Sequence, residues 1–198
     1  NDVIAIDRKK RTVTVRELAT GREYTESYDA LALCAGAEPI RPPLPGIDLP
    51  GIHVLRRIGD MDVIKAEFDA ALNAAANPSD VHCVVIGAGY IGLEMAENLR
   101  HRGATVDGVE MADQILPPLD HEISVPVERH LRSRGVGLHL STAAAAFTAR
   151  VGGGLNVELK NSTALGADLV ILSAGVRPST HLAKDAGLEL GAHGGIRD

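Results

Sequence analysis

Residues 81–110, VHCVVIGAGYIGLEMAENLRHRGATVDGVE, constrain the fold more than any other part of this chain. An apolar run over residues 81–86 opens onto Gly87, Gly89 and Gly92, spaced GxGxxG. A helix follows from about Tyr90 to Arg102, with Ile91, Met95 and Leu99 at i, i+4 and i+8 forming one apolar face. Gly103 closes it as a C′ glycine, and residues 105–110 read as a second strand ending in Glu110, 18 residues after Gly92. Glycine-rich turns are common, and the spacing alone says little. Strand, turn, amphipathic helix, strand and acid in that order specify a βαβ unit with parallel strands.

Each of these residues has a physical task. Gly87 permits a tight turn out of the strand, and Gly89 lets the backbone approach a pyrophosphate. Gly92 allows the helix to pack closely on the sheet. The pyrophosphate then faces the first-turn N–H groups, at Tyr90, Ile91 and Gly92, and the positive end of the helix dipole. Glu110 accepts hydrogen bonds from the ribose hydroxyls and repels a 2′-phosphate, and no arginine follows it immediately. The pattern therefore favours NADH over NADPH. It does not by itself separate NAD from FAD, because both use this fingerprint.

Around this unit the chain alternates strands and helices. Residues 3–6, 12–15 and 22–27 read as an antiparallel meander. Residues 28–35 form a continuous apolar run, expected as a buried strand ending at Gly36 with Cys34 as a small buried hydrophobe. The Pro-rich stretch from Pro39 to Gly51 reads as an extended linker, which puts a boundary near Ile47. A helix is predicted over 59–76, with Ile64, Phe68, Ala71 and Leu72 in one stripe and Asn77–Pro78–Ser79 ending it. Another, with Ile123, Val127 and Leu131 in register, contains Pro126, so a late start or a kink is expected. Strands are predicted over 136–140 and 168–174, with a hairpin of 143–149 and 155–159 between them.

Composition narrows the class. The formal charge is −6 with the two signs interspersed, which argues against a nucleic-acid partner. No run of 18 apolar residues points to a membrane span. Cys34 and Cys83 lie 49 residues apart and encode neither a zinc site nor a dithiol, so reduced thiols in a cytoplasmic protein are expected. His121, His130 and His139 recur every nine residues, which suits solvated faces better than a metal site.

Three separated motifs carry a family resemblance. GAGYIGLEMAENL, then VEMADQILPPLD, then ILSAGVRPSTHLAKDAGLELGAHGGI together resemble the pyridine nucleotide–disulfide oxidoreductases. More narrowly they are similar to the NADH oxidase, NADH peroxidase and coenzyme A-disulfide reductase branch. The resemblance implies an α/β fold: a Rossmann-like NAD(P)-binding domain, with a central parallel sheet, helices and an antiparallel β-meander, plus a β-rich piece of an FAD-binding domain. It divides the chain into residues 1–46, part of the FAD domain, 47–175, the NAD domain, and 176–198, the return crossover. LALCAGAEP and AGVRP match the two crossovers, which implies that Ala35 and Gly36 lie beside FAD and that Ala174 and Gly175 line the nicotinamide nucleotide pocket.

The resemblance also implies roles for two helix residues. Tyr90 falls where a tyrosine covers the flavin, and Glu94 where a glutamate sits near the nicotinamide carboxamide. Packing at the helix N-terminus and a solvated first-turn acid are the plainer readings of these two positions. The implied reaction passes hydride from NADH to FAD and on to a disulfide, polysulfide, peroxide or oxygen, in a full-length homodimer. The family's opening FAD fingerprint, its redox-active cysteine and its dimerisation domain are not matched here, so the 198-residue chain alone is expected to bind NADH weakly and not to turn over. Rival readings are an NADH-dependent ferredoxin, rubredoxin or nitrite reductase flavoprotein, a non-catalytic Rossmann ligand-binding module, or a fingerprint that binds FAD itself.

Overall fold

The computed structural model describes residues 1–197, which divide into two compact units. The smaller joins Asn1–Glu38 to the residues from Arg177 onward. Its strands β1 (Asp2–Asp7), β2 (Thr12–Arg16) and β3 (Glu23–Ser27) form the antiparallel meander read from the sequence. Asp7 accepts the Lys9 and Lys10 backbone N–H groups and so closes the first turn. The chain passes to the larger unit, Pro39–Val176, through β4 (Ala37–Pro39).

The larger unit follows in chain order. It begins with β5 (Ile52–Val54), α1 (Ile58–Ala74), β6 (His82–Ile86), α2 (Tyr90–His101) and β7 (Thr105–Val109). It continues with α3 (His121–Ser133), β8 (Val136–His139), β9 (Ala144–Ala149) and β10 (Leu155–Leu159). It closes with β11 (Ala164–Ala167) and β12 (Leu169–Leu172), before β13 (Val176–Pro178) and the short α4 (His181–Asp185). Five strands pair in the order β5-β12-β6-β7-β8, all parallel. β9, β10 and β11 form a separate antiparallel layer.

Both faces of the parallel sheet are covered, which is why its strands read as unbroken apolar runs. Alternation divides them. Cys83, Val85, Val106 and Ile171 face the helices, against Ile64 and Phe68 of α1, Met95 and Leu99 of α2, and Leu131 of α3. Val84, Ile86, Val109 and Val170 face the antiparallel layer, against Phe147, Leu155 and Val157. Phe68 also carries the Arg102 guanidinium over its ring, 4.9 Å from the centroid, which ties α1 to the end of α2.

Several expectations need correction. Residues 28–35 are neither a strand nor buried: the run is irregular, Leu31 is 40% exposed and Cys34 is exposed. A strand is held by its neighbours' hydrogen bonds, and no strand pairs with this run among the described residues. The Pro-rich stretch is not a linker up to Ile47. Leu44, Ile47 and Leu49 pack on the core, and the Phe147 N–H donates to the Pro45 carbonyl at 2.8 Å, so the larger unit begins at Pro39. α2 turns inward Gly92, Met95, Ala96 and Leu99 and leaves Ile91 43% exposed. α3 buries Ser124 and Leu131 and leaves Ile123 57% exposed and Val127 at the surface. At about 100° per residue, steps of four drift by about 40° each, so an i, i+4, i+8 row leaves the buried face after two steps. α3 starts at His121 and runs through Pro126.

The two cysteines should differ sharply in reactivity. Burial, with the Asp168 carboxylate as a smaller cause, pushes the Cys83 thiol up to about 12, whereas Cys34 is open to solvent. Native chain treated with a thiol reagent at pH 8 is expected to react once and fast, at Cys34, with Cys83 reacting only after denaturant. Two fast equivalents in the native state would contradict the packing described for β6.

Candidate functional site

The sheet order places a topological reversal between β6 and β12. From β6 the chain proceeds to β7 and β8 on one side, while β12 arrives on the other. Connections leaving the carboxyl ends of such strands diverge and open a crevice there. The GxGxxG turn, Glu110 and the Ser173–Gly175 segment all stand at these carboxyl ends.

The turn is built on close backbone approaches. Gly87 has φ +103°, and a Cβ on it would run into the Ser173 carbonyl. Its N–H donates to the Val109 carbonyl at 2.8 Å. A Cβ on Gly92 would overlap the Gly87 carbonyl oxygen and stand 2.6 Å from the Ser173 hydroxyl. Gly92 thus seats α2 on the turn itself, closer than the general contact with the sheet that the motif implies. Ser173 fastens the neighbouring strand to this point: its N–H donates to the Ile86 carbonyl at 2.8 Å, and its hydroxyl lies 3.0 Å and 2.9 Å from the Ile86 and Gly87 carbonyl oxygens.

Gly89 is different. It is the N-cap of α2 with an extended backbone, and nothing lies within 4 Å of where its Cβ would stand. No side chain caps α2, and its first internal bond runs from the Leu93 N–H to the Gly89 carbonyl at 3.0 Å. The N–H groups of Tyr90, Ile91 and Gly92 therefore precede the helical ladder and point out of its positive end. An anion beside Gly89 meets both open space and donors.

Glu110 is held from two directions. Its carboxylate oxygens accept the Ala88 N–H at 2.8 Å and the Ala112 N–H at 2.9 Å, and each keeps a second lone pair. Its own N–H donates to the His139 carbonyl at 2.9 Å, and its carbonyl accepts the Thr142 N–H at 3.1 Å. The loop after Glu110 folds back over the turn, the Leu116 N–H reaching the Ala88 carbonyl at 2.8 Å with Ile115 fully buried beneath. Leu116 adopts φ +49°, a left-handed conformation that costs about 1–3 kcal/mol and is maintained by this surrounding packing.

The remaining candidates divide. Tyr90 is 60% exposed and Glu94 is exposed, in the second turn of α2 rather than the first. Both line an open groove of 930 Å³ between α2 and α3. Ala174 and Gly175 are exposed at the carboxyl end of β12, where the Gly175 carbonyl accepts the Ile40 N–H at 2.9 Å. Ala35 and Gly36 belong to the smaller unit, where the Gly36 carbonyl accepts the Ser179 N–H at 2.9 Å. Glycine spacing brought out the turn and the acid. It missed Ser173, which reads only as the end of an apolar run, and Leu116, whose backbone sign no side-chain pattern reveals. Among the described residues no cluster of three His, Cys, Asp or Glu side chains is placed to hold a metal ion, and no helix is long and apolar enough to cross a membrane.

The family model for pyridine nucleotide-disulphide oxidoreductases matches residues 1–197. The chain is 35% identical over 195 residues to the large subunit of nitrite reductase [NAD(P)H] from Klebsiella oxytoca, covering 98% of this chain and 19% of that protein. The structure of reduced CoADR-RHD from Bacillus anthracis is similar with a TM-score of 0.86 and 39% identity, over 98% of this chain and 33% of that one. The water-forming NADH oxidase from Lactobacillus brevis, solved bound to NADH, gives a TM-score of 0.86 and 31% identity over 98% and 40%. The chain spans less than half the length of each of these proteins.

The contacts at Gly92 and Ser173 make a graded prediction. Ser173→Ala removes one hydroxyl hydrogen bond and should cost about 0.5–1.5 kcal/mol in urea unfolding. Gly92→Ala must move α2 off the turn and should cost more than Ser173→Ala. The reverse order would mean that α2 is not seated on the Gly87 carbonyl.

Proposed function

The chain belongs to the pyridine nucleotide-disulphide oxidoreductase family, and on that footing we propose that its larger unit is the NADH-binding part of an FAD-dependent oxidoreductase. The observation that carries this is the space beside Gly89, bounded by the uncapped N-terminus of α2 and flanked by the fixed carboxylate of Glu110. These residues fit a nicotinamide dinucleotide. The N–H groups of Tyr90, Ile91 and Gly92 take the pyrophosphate, and the free lone pairs of Glu110 take the ribose hydroxyls. That the similar Lactobacillus brevis oxidase binds NADH supports the same ligand here.

Bound NADH supplies a hydride, which FAD receives in two-cofactor flavoenzymes. This chain's own part is to bind and orient. Ser173 locks the end of β12 to the turn, so Ala174 and Gly175 present backbone, not bulky side chains, at the nicotinamide end. Tyr90 and Glu94, one turn apart on α2 and both exposed, are the residues we assign to cover the flavin and to sit near the nicotinamide carboxamide. For FAD, Ala35 and the left-handed turn at Gly36 (φ +69°) are the residues we assign. The acceptor we assign is a disulfide, polysulfide, peroxide or oxygen, in a homodimeric cytoplasmic enzyme. Similarity to a nitrite reductase subunit supports the rival ferredoxin, rubredoxin or nitrite reductase reading, and comparing turnover of the full-length enzyme with coenzyme A disulfide, oxygen, ferredoxin, rubredoxin and nitrite decides between the two.

Two variants test the NADH site. Gly89→Ala places a methyl group in open space, so stability should stay within about 0.5 kcal/mol while the Kd for NADH rises at least about tenfold, read by fluorescence titration. Unchanged NADH affinity in the folded variant sinks the assignment, as does tighter binding of FAD than of NADH by the parent chain. Glu110→Gln removes the charge that repels a 2′-phosphate, and the preference for NADH over NADPH should fall about tenfold or more. An unchanged preference removes Glu110 from the ribose site.

A further inference from the structure

Of the three histidines that recur every nine residues, His139 does not stand on a solvated face. It ends β8, the last strand of the parallel sheet, whose one neighbour there is β7. Val136 and Leu138 turn towards the helices, so Gly137 and His139 face the other way, as do Asp107 and Val109 of β7. The register sets Asp107 opposite Gly137 and Val109 opposite His139. Asp107 and His139 are therefore diagonal neighbours, and the imidazole Nε2 lies 2.8 Å from Asp107 Oδ1. A carboxylate only accepts, so Nε2 donates. The two side chains are 27% and 25% exposed, and water has little access to compete for this bond.

Gly137 makes the contact possible. A Cβ on Gly137 would stand 2.1 Å from Asp107 Oδ1 and 3.1 Å from its Cγ, with no backbone atom nearer than 3.7 Å. The missing side chain is what leaves the carboxylate room to lie across β8 and reach His139.

The pair fastens the last rung of the sheet. The His139 carbonyl accepts the Glu110 N–H at 2.9 Å, one residue past the end of β7. The chain then passes through the left-handed Ser141 (φ +54°), whose N–H donates to the Ala112 carbonyl at 2.8 Å, and the Thr142 N–H donates to the Glu110 carbonyl at 3.1 Å. Residues 139–142 thus hold Glu110 and Ala112 from the β8 side, and the Ala112 N–H in turn donates to the Glu110 carboxylate at 2.9 Å. An edge strand of four residues opens readily, and a side-chain bond to β7 fixes its final residue.

We propose that Asp107, Gly137 and His139 are positioning residues for Glu110, and that they set how sharply the ribose site separates NADH from NADPH. The ligand in this proposal rests on the NADH reading; the positioning of Glu110 does not. With the pair formed, the carboxylate keeps one orientation, so it meets two ribose hydroxyls without further ordering and opposes a 2′-phosphate. With the pair broken, the rung beneath Glu110 opens and its carboxylate swings. NADH binding then carries an ordering cost, and a 2′-phosphate finds room.

Gly137→Ala breaks the pair without removing either partner. Its methyl group displaces only the end of a flexible side chain, and alanine in a strand is no worse than glycine, so the fold should hold. In the full 198-residue chain, exchange of the Glu110 amide should speed up about tenfold or more, while the β6 amides keep the parent's rates. The ratio of Kd for NADPH to Kd for NADH, read by ligand fluorescence, should fall about threefold or more. His139→Leu should do the same, and His139→Gln, which keeps a donor for Asp107, should return both readouts towards the parent. Unchanged Glu110 exchange in the folded Gly137→Ala and His139→Leu variants overturns the positioning. Faster exchange with an unchanged cofactor ratio reduces the pair to a brace for the edge strand and overturns its role in specificity. A parent chain that binds no NADH fails the dinucleotide reading, and the Glu110 exchange then decides the positioning alone.

Discussion

The larger unit depends on one contact: the Cα of Gly92 lies against the carbonyl of Gly87, with the Ser173 hydroxyl beside both. This contact brings the first turn of α2 down onto the end of β6 and joins β12 to the same point. Interiors are packed too densely for a methyl group to enter such a gap without moving a backbone. Everything that makes the crevice useful follows from this seating. The first-turn N–H groups of α2 are aimed outward over Gly89, and the reversal between β6 and β12 becomes a cleft instead of a filled corner.

The second requirement is a fixed acid. A carboxylate on a mobile side chain pays ordering entropy each time it binds. Glu110 has paid it in folding, because Ala88 and Ala112 hold one oxygen each while His139 and Thr142 hold its backbone. The Ala88 N–H sits inside the glycine turn, so the turn and the acid are mechanically joined. The left-handed Leu116 closes the arrangement from the other side through the Ala88 carbonyl.

How legible this was in the sequence depended on the range of the interactions. The turn, α2, β6, β7 and Glu110 were legible because their constraints are local: apolar runs, a helical repeat and glycines at fixed offsets. The inward face of α3 was misread because a row of every fourth residue leaves the buried side, so Ser124 points inward where Ile123 was expected. Residues 28–35 have the composition of a buried strand, but they lack a paired neighbour and stay irregular and exposed, Cys34 included. The stretch from Pro39 to Gly51 has the composition of a linker, yet it is packed because Leu44, Ile47 and Leu49 find the β9–β11 side of the core.

The sequence by itself determined that this chain builds a βαβ unit with a dinucleotide fingerprint and an acid at the second strand, since backbone sterics and helical periodicity act within about 30 residues. It also carried the family, through three motifs in order. Tertiary structure decided what lies opposite each of these pieces. It placed the Ser173 hydroxyl on Gly87 across 86 residues of chain and gave Glu110 its two N–H partners. Those pairings require distant strands to meet in one register, and only the folded sheet supplies that register.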